Sequence, residues 1–265
     1  MIRGFLRRLL SGGRKVPAVD PVLVPLADHP LKKRVTLLCD AYVLTPTSLA
    51  EVHRACQMVE GLLPKHRALA TLDEVSQAFY TNGNAVQMHD LDSVEGYSLD
   101  TLPDAVFENG EHIGYFSTKE EFPLRVSNFK SRLETQSQSD KKLNWLDANT
   151  GLSVDEANAQ ADDLIDDPCI VMAVPVALRY ETIMAFPNGY FGSDLSPFEV
   201  YRLCQRLEAA NYQLFAIGAS YLAFEAVGQA GDISQILNEL YVSPEIKALA
   251  KVLSKQPFLI LRYTE

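Results

Sequence analysis

A complete helix start followed by two apolar runs, all within residues 196–227, constrains this chain more than any other stretch. Ser196 can cap free amides, Pro197 suits a first helical position, and Glu199 can bond back to the Ser196 amide. Phe198, Tyr201, Cys204 and Leu207 recur every third residue, with Leu203 widening the stripe, which predicts a helix to Asn211 that buries one face. Residues 212–227 then read as two strands broken near Gly218, where the turn is short enough only to reverse the chain. Ahead of them lies the long apolar stretch 169–186, in which Pro175 cannot donate to a ladder and so marks an edge or a bend. After them come helical faces at Ile233, Ile236, Leu237 and Leu240, then at Ile246, Leu249, Ala250 and Leu253, and a closing strand at 258–263.

This order, strand, helix, strand, strand, helix, strand, is that of a ferredoxin-like split βαβ unit. Residues 165–265 are therefore expected to form a four-stranded antiparallel sheet with its helices on one face, the C-terminal part of an α+β protein. The N-terminal half is expected to be a second α+β unit. A β-branched and aromatic run at 34–44 predicts a strand. Ser48 and Glu51 then open a helix along Leu49, Val52, Cys56, Val59 and Leu63, stopped by Pro64. Thr71 and Glu74 suggest a short helix carrying Leu72, Val75 and Phe79, followed by an Asn82-Gly83 turn and a short strand at 85–89. Asn109-Gly110 turns into a strand at 112–117, and Thr118 with Glu121 caps a helix in which Pro123 belongs to the early turn. The expected division is a tail and Pro-rich tether at 1–30, an α+β domain at 31–135, a polar connection and helix at 136–164, and the C-terminal domain at 165–265.

The net charge of −10 is unevenly spread: residues 1–89 carry +4, residues 90–168 carry −12, and residues 169–265 carry −2. An acidic middle argues against a broad phosphate-binding surface and permits a basic protein partner. Tyr221 and Phe224 fall on opposite faces of their strand with no Lys or Arg beside them, so no nucleic acid partner is expected. Ile2, Phe5, Leu6 and Leu9 share a helical face opposite Arg3, Arg7 and Arg8. Such a basic amphipathic helix can contact an acidic membrane surface or a partner, or dock on its own domain. The four cysteines are scattered through apolar stretches, as buried free thiols of a reducing compartment would be, and no apolar run is long enough to span a bilayer. A cytoplasmic address, peripheral to the inner membrane surface if the tail binds it, follows as an expectation.

Motifs for chemistry are sparse. Ser220 lacks the second glycine of a nucleophile elbow, and Gly189-Tyr-Phe-Gly192 lacks the Gly-Lys-Ser/Thr end of a phosphate loop. Tyr190 and Phe191 in that loop could still cover a ligand. The five histidines show no two-ligand spacing, and His89-Asp90-Leu91-Asp92 is too common a pattern to indicate a metal; no metal or cofactor is expected. Asp162, Asp163, Asp166 and Asp167 sit where a helix should end, where the dipole disfavours negative charge. These six residues are the candidate binding positions. The expectation is a non-catalytic protein that binds a macromolecular partner or a small regulator. The alternative is an enzyme with dispersed residues in a cleft between the halves, lined by Arg179, Tyr180 and Glu181.

Overall fold

The computed structural model describes residues 20–136, 141–147, 151–243 and 246–264, so the tail bearing Ile2, Arg3, Phe5, Leu6, Arg7, Arg8 and Leu9 lies outside the described residues. The strands are β1 (Val24–Pro25), β2 (Asp40–Leu44), β3 (Arg67–Thr71), β4 (Phe107–Glu108), β5 (Glu111–His112) and β6 (Leu143–Asn144) in the first half. They continue with β7 (Cys169–Val174), β8 (Tyr212–Ile217), β9 (Tyr221–Ala226), β10 (Tyr241–Val242) and β11 (Phe258–Arg262). The helices are α1 (Leu49–Leu62), α2 (Val75–Met88), α3 (Phe122–Thr135), α4 (Val154–Ala159), α5 (Pro197–Ala209), α6 (Ser234–Leu240) and α7 (Ile246–Leu253). An α+β fold is what these elements make.

Seven strands join one mixed sheet in the order β1-β2-β7-β3-β8-β9-β11. Its pairs are antiparallel except β3 with β8, which is parallel. The hairpin of β8 and β9 is antiparallel, as its short turn demands, but the four C-terminal strands do not form a sheet of their own in ferredoxin-like order. Instead β3 enters between β7 and β8. The physical reason is the composition of β7: every residue from Cys169 to Val174 is buried, so this strand needs a neighbour on each edge and cover on each face. It takes β2 and β3 as its neighbours. The small-residue run Arg67-Ala-Leu-Ala-Thr71 carries little intrinsic β signal, which is why β3 is not legible beforehand.

Alternation along β7 divides the core. Val171 and Ala173 face α1, where Val52, Cys56 and Val59 pack with Ala68, Ala70, Phe215 and Ile260. Ile170, Met172 and Val174 belong to the second core with Leu214, Phe224 and Leu259, and there α5 contributes Phe198, Tyr201, Leu203, Cys204 and Leu207. The capping box at Ser196 and Glu199 forms as the sequence implies. Truncating the fully buried Phe198 to Ala should cost ~3–5 kcal/mol, since the cavity term adds to lost transfer free energy. At the far edge, the Asn158 amide donates to the Ile260 carbonyl at 2.7 Å and accepts from its N–H at 2.8 Å, so a side chain takes the place of another strand on β11.

Three departures from the expected elements shape the site. The strand expected over 34–44 pairs only from Asp40, because the ladder with β7 stops at Ala173, two residues before Pro175, which has no N–H to give. Residues 34–39 leave the sheet. The turn expected at Asn82-Gly83 and the strand at 85–89 are instead continuous helix, α2, with Ala78, Thr81, Ala85 and Val86 buried along one side. Burial of that side outweighs the roughly 1 kcal/mol that a helical glycine costs. Residues 112–117 are likewise mostly irregular: β5 ends at His112, after a tight turn with positive φ at Asn109 and Gly110.

Candidate functional site

Where residues 34–38 part from the sheet, a cavity of about 700 Å³ opens between them, α2 and the 114–116 loop. That volume lies within the range typical of small-molecule sites. Leu38, Phe79, Val86 and Phe116 supply its apolar wall, and Asn82, Gln87 and Arg34 its polar groups. Tyr80 and Tyr115 also line it and are 61% and 56% exposed, which puts two aromatic surfaces in water where a ligand could cover them.

The floor is a buried ion pair. Arg125 of α3 donates from Nε to Asp92 Oδ1 at 2.5 Å and from Nη2 to the same oxygen, while the Phe116 N–H reaches Asp92 Oδ2 at 3.0 Å. The guanidinium carbon also lies 5.9 Å from the centre of the Phe116 ring. Burial pushes the Asp92 carboxyl up, against the pull of Arg125, and burial draws the Arg125 guanidinium down, against Asp92. The pair fixes the 114–116 loop on α3, so the cavity wall is held in place before any ligand arrives.

Behind that loop Glu121 is fully buried. Its Oε2 accepts from the Ser117 N–H (2.8 Å), the Thr118 N–H (2.8 Å) and Thr118 Oγ1 (3.0 Å), completing the capping box that starts the helical turn before α3. Its Oε1 accepts from His112 Nε2 at 2.7 Å, and His112 Nδ1 accepts from the Gly114 N–H at 3.1 Å. Both imidazole nitrogens are therefore engaged, which leaves His112 a positioning group for the wall and not a base for a substrate.

The acidic run is placed differently from what its local position suggests. Asp162 Oδ1 accepts the Leu49 N–H at 2.7 Å, and Asp166 Oδ2 accepts the Val75 N–H at 2.9 Å. Each carboxylate thus sits at the positive end of another helix, α1 or α2, which relieves the conflict at its own helix end. Asp163 and Asp167 are exposed. Asp163 and Asp166 line a second cleft of about 570 Å³ with Asp73, Glu74 and Asp147, at the carboxyl ends of β3 and β8. Asp73 there accepts the Ser220 N–H at 2.9 Å and the Tyr221 N–H at 3.2 Å, and burial, only partly opposed by these bonds, pushes its carboxyl up to about 7.

Tyr190 and Phe191 stand beside each other with ring centres 5.1 Å apart, and the Phe191 N–H bonds Asp194 Oδ2 at 3.0 Å; neither lines the cavity at α2. Arg179 bridges Glu60 (3.0 Å) and Glu225 (2.7 Å), tying the segment after β7 to α1 and β9. The histidine and aspartates at 89–92 go separate ways: His89 packs edge-on to Phe198, Asp90 pairs with Arg132 at 2.7 Å, and Asp92 with Arg125. Cys56, Cys169 and Cys204 are buried free thiols, and burial pushes Cys169 up to about 12. Among the described residues no helix is long and apolar enough to cross a membrane.

The sequence places the cavity residues at 34–38, 79–87 and 114–116 in expected strands, a short helix and the Asn82-Gly83 turn, and offers none of them as a binding position; Asp90 and Asp92 enter it only as a pattern too common to indicate a metal. The one usable signal was the Arg34 end of the expected strand, a charged start to an apolar run. Comparison of the chain with family models, with curated proteins and with solved structures gives no match in any of the three.

Proposed function

We propose that this chain is a non-catalytic binding protein whose ligand is a small molecule held between residues 34–38, α2 and the 114–116 loop. The observation that carries this reading is a cavity of about 700 Å³ lined by two exposed tyrosines and walled by a loop that the Asp92–Arg125 pair holds rigid. The ionisable groups nearest it favour binding over catalysis: Asp92 and Arg125 neutralise each other, and His112 spends both nitrogens on the loop. The test uses the neutral fluorophore N-phenyl-1-naphthylamine. It should bind the full chain at one site, and Gly83→Trp should abolish binding, since a Cβ at Gly83 meets nothing within 4 Å and the indole would occupy the space. Unchanged affinity in a folded Gly83→Trp protein would sink this reading.

A second reading rests on the exposure of Asp163 and Asp167, which leaves part of the acidic segment open to a basic protein partner. Association through it should slow as ionic strength rises.

A further inference from the structure

A neighbouring cavity of about 540 Å³ shares the lining residues Val35, Thr36, Leu37 and Tyr115 with the cavity at α2, and the two flank a groove along residues 34–37. The charges along it do not cancel. Each of its carboxylates already has a cation: Asp90 pairs with Arg132 at 2.7 Å, Asp92 with Arg125, and Asp40 with Lys119 at 3.3 Å. Lys32, Lys33 and Arg34, by contrast, are consecutive, exposed and in no ion pair among the described residues. Lys32 lines one cavity and Arg34 the other. A chain of net charge −10 therefore carries three consecutive unmatched cations, of which Arg34 lines the cavity at α2 and Lys32 its neighbour.

Building on the small-molecule reading, we infer that the groove takes an amphiphilic organic anion. An aliphatic or aromatic body lies against Leu37, Phe79, Val86 and Phe116, and a carboxylate, sulfonate or phosphate head meets Lys32, Lys33 and Arg34. Charge chooses between this ligand and other occupants. The chain's own segment at 1–12 would bring Arg3, Arg7 and Arg8 against the same three cations, and an amine would do the same. An anion is the one that gains.

The test pairs two probes of the same shape on the full-length chain: anionic 1-anilinonaphthalene-8-sulfonate and its neutral relative N-phenyl-1-naphthylamine. In K32Q/K33Q/R34Q the anionic probe should bind ~10-fold more weakly at low ionic strength, and the difference should shrink as salt is added, while the neutral probe stays within about twofold. The charge-preserving K32R/K33R/R34K should bind both probes like the parent. Equal affinity of the anion for the parent and the glutamine variant, with the neutral probe still bound, overturns the anionic class and leaves the cavity reading standing. Failure of both probes to bind the parent overturns the cavity reading as well. Loss of the anion in the charge-preserving variant would show that side-chain shape, not charge, is responsible, and overturns the inference. Two competitors separate the sources of the head group. Displacement by laurate below its micelle concentration supports a soluble acid, displacement by phosphatidylglycerol vesicles supports a lipid, and displacement by neither overturns the proposal.

Discussion

The placement of Asp166 makes a sharp prediction about stability. Glu74 occupies the N-cap position of α2, but its backbone is left-handed (φ 43°) and its side chain makes no cap bond, so the helix has no local carboxylate or hydroxyl at its start. Asp166 supplies that acceptor from 91 residues away, at 2.9 Å from the Val75 nitrogen. Asp166→Ala removes one cap bond and one charge at a half-buried helix start, losses worth together about 1–2 kcal/mol. Asp162→Ala should cost less, about 0.5–1 kcal/mol, because α1 keeps the Ser48 side chain, which accepts from the Glu51 N–H. The two sites serve different helices and should add, to about 1.5–3 kcal/mol in the double variant. Asp166→Asn, which retains an acceptor oxygen and loses only the charge, should fall about midway. Equilibrium urea unfolding reads these as shifts in midpoint at constant slope. A midpoint for Asp166→Ala at or above that of the parent would refute the cap and show the carboxylate to be an unfavourable helix end.

Two glycines should respond in opposite directions. Gly83→Ala adds a methyl to α2 with nothing within 4 Å and should stabilise by ~0.5–1 kcal/mol, whereas Gly218→Ala puts a Cβ 1.8 Å from Asp73 Oδ1 and should cost at least about 2 kcal/mol; thermal melts compare them directly. Asp73 should make stability fall with rising pH. Its folded pKa of about 7 lies above the unfolded 3.8, so the native state binds more protons between these values, and its contribution is present in full below pH 3.8 and lost as pH rises through about 7. The total is on the order of 4 kcal/mol, and the difference in unfolding free energy between the parent and Asp73→Asn, followed from pH 4.5 to pH 7.5 or so, should slope accordingly; a flat difference would exclude it. Asp92→Ala should cost ~3–5 kcal/mol by leaving Arg125 buried without its partner, and replacing both with Asp92→Leu and Arg125→Met should recover much of that loss in the same urea assay.

Local rules were enough for what is local. The capping boxes at Ser153 and Ser196, the stripe of Phe198, Tyr201, Cys204 and Leu207, the Asn109-Gly110 turn and the β8–β9 hairpin all follow from side chains within a few residues of one another. Fold class follows from their sum. Which strands pair does not, because a buried apolar strand such as β7 satisfies its ladder with any neighbour of suitable register, and β3, with two alanines and a leucine at its centre, shows itself only once it is buried beside β7. The continuity of α2 through Asn82-Gly83 is likewise a tertiary result, since its buried side supplies what its intrinsic propensity lacks. The cavity inherits both of these. It exists because Pro175 ends the β2–β7 ladder at a distance of some 135 residues along the chain from Asp40, and because an uninterrupted α2 stands opposite the segment thus released. The aspartates at 162 and 166 show the same division: the sequence displays their charge and their awkward helix end, but the amides that donate to them lie at Leu49 and Val75, and only folding brings those within hydrogen-bond reach.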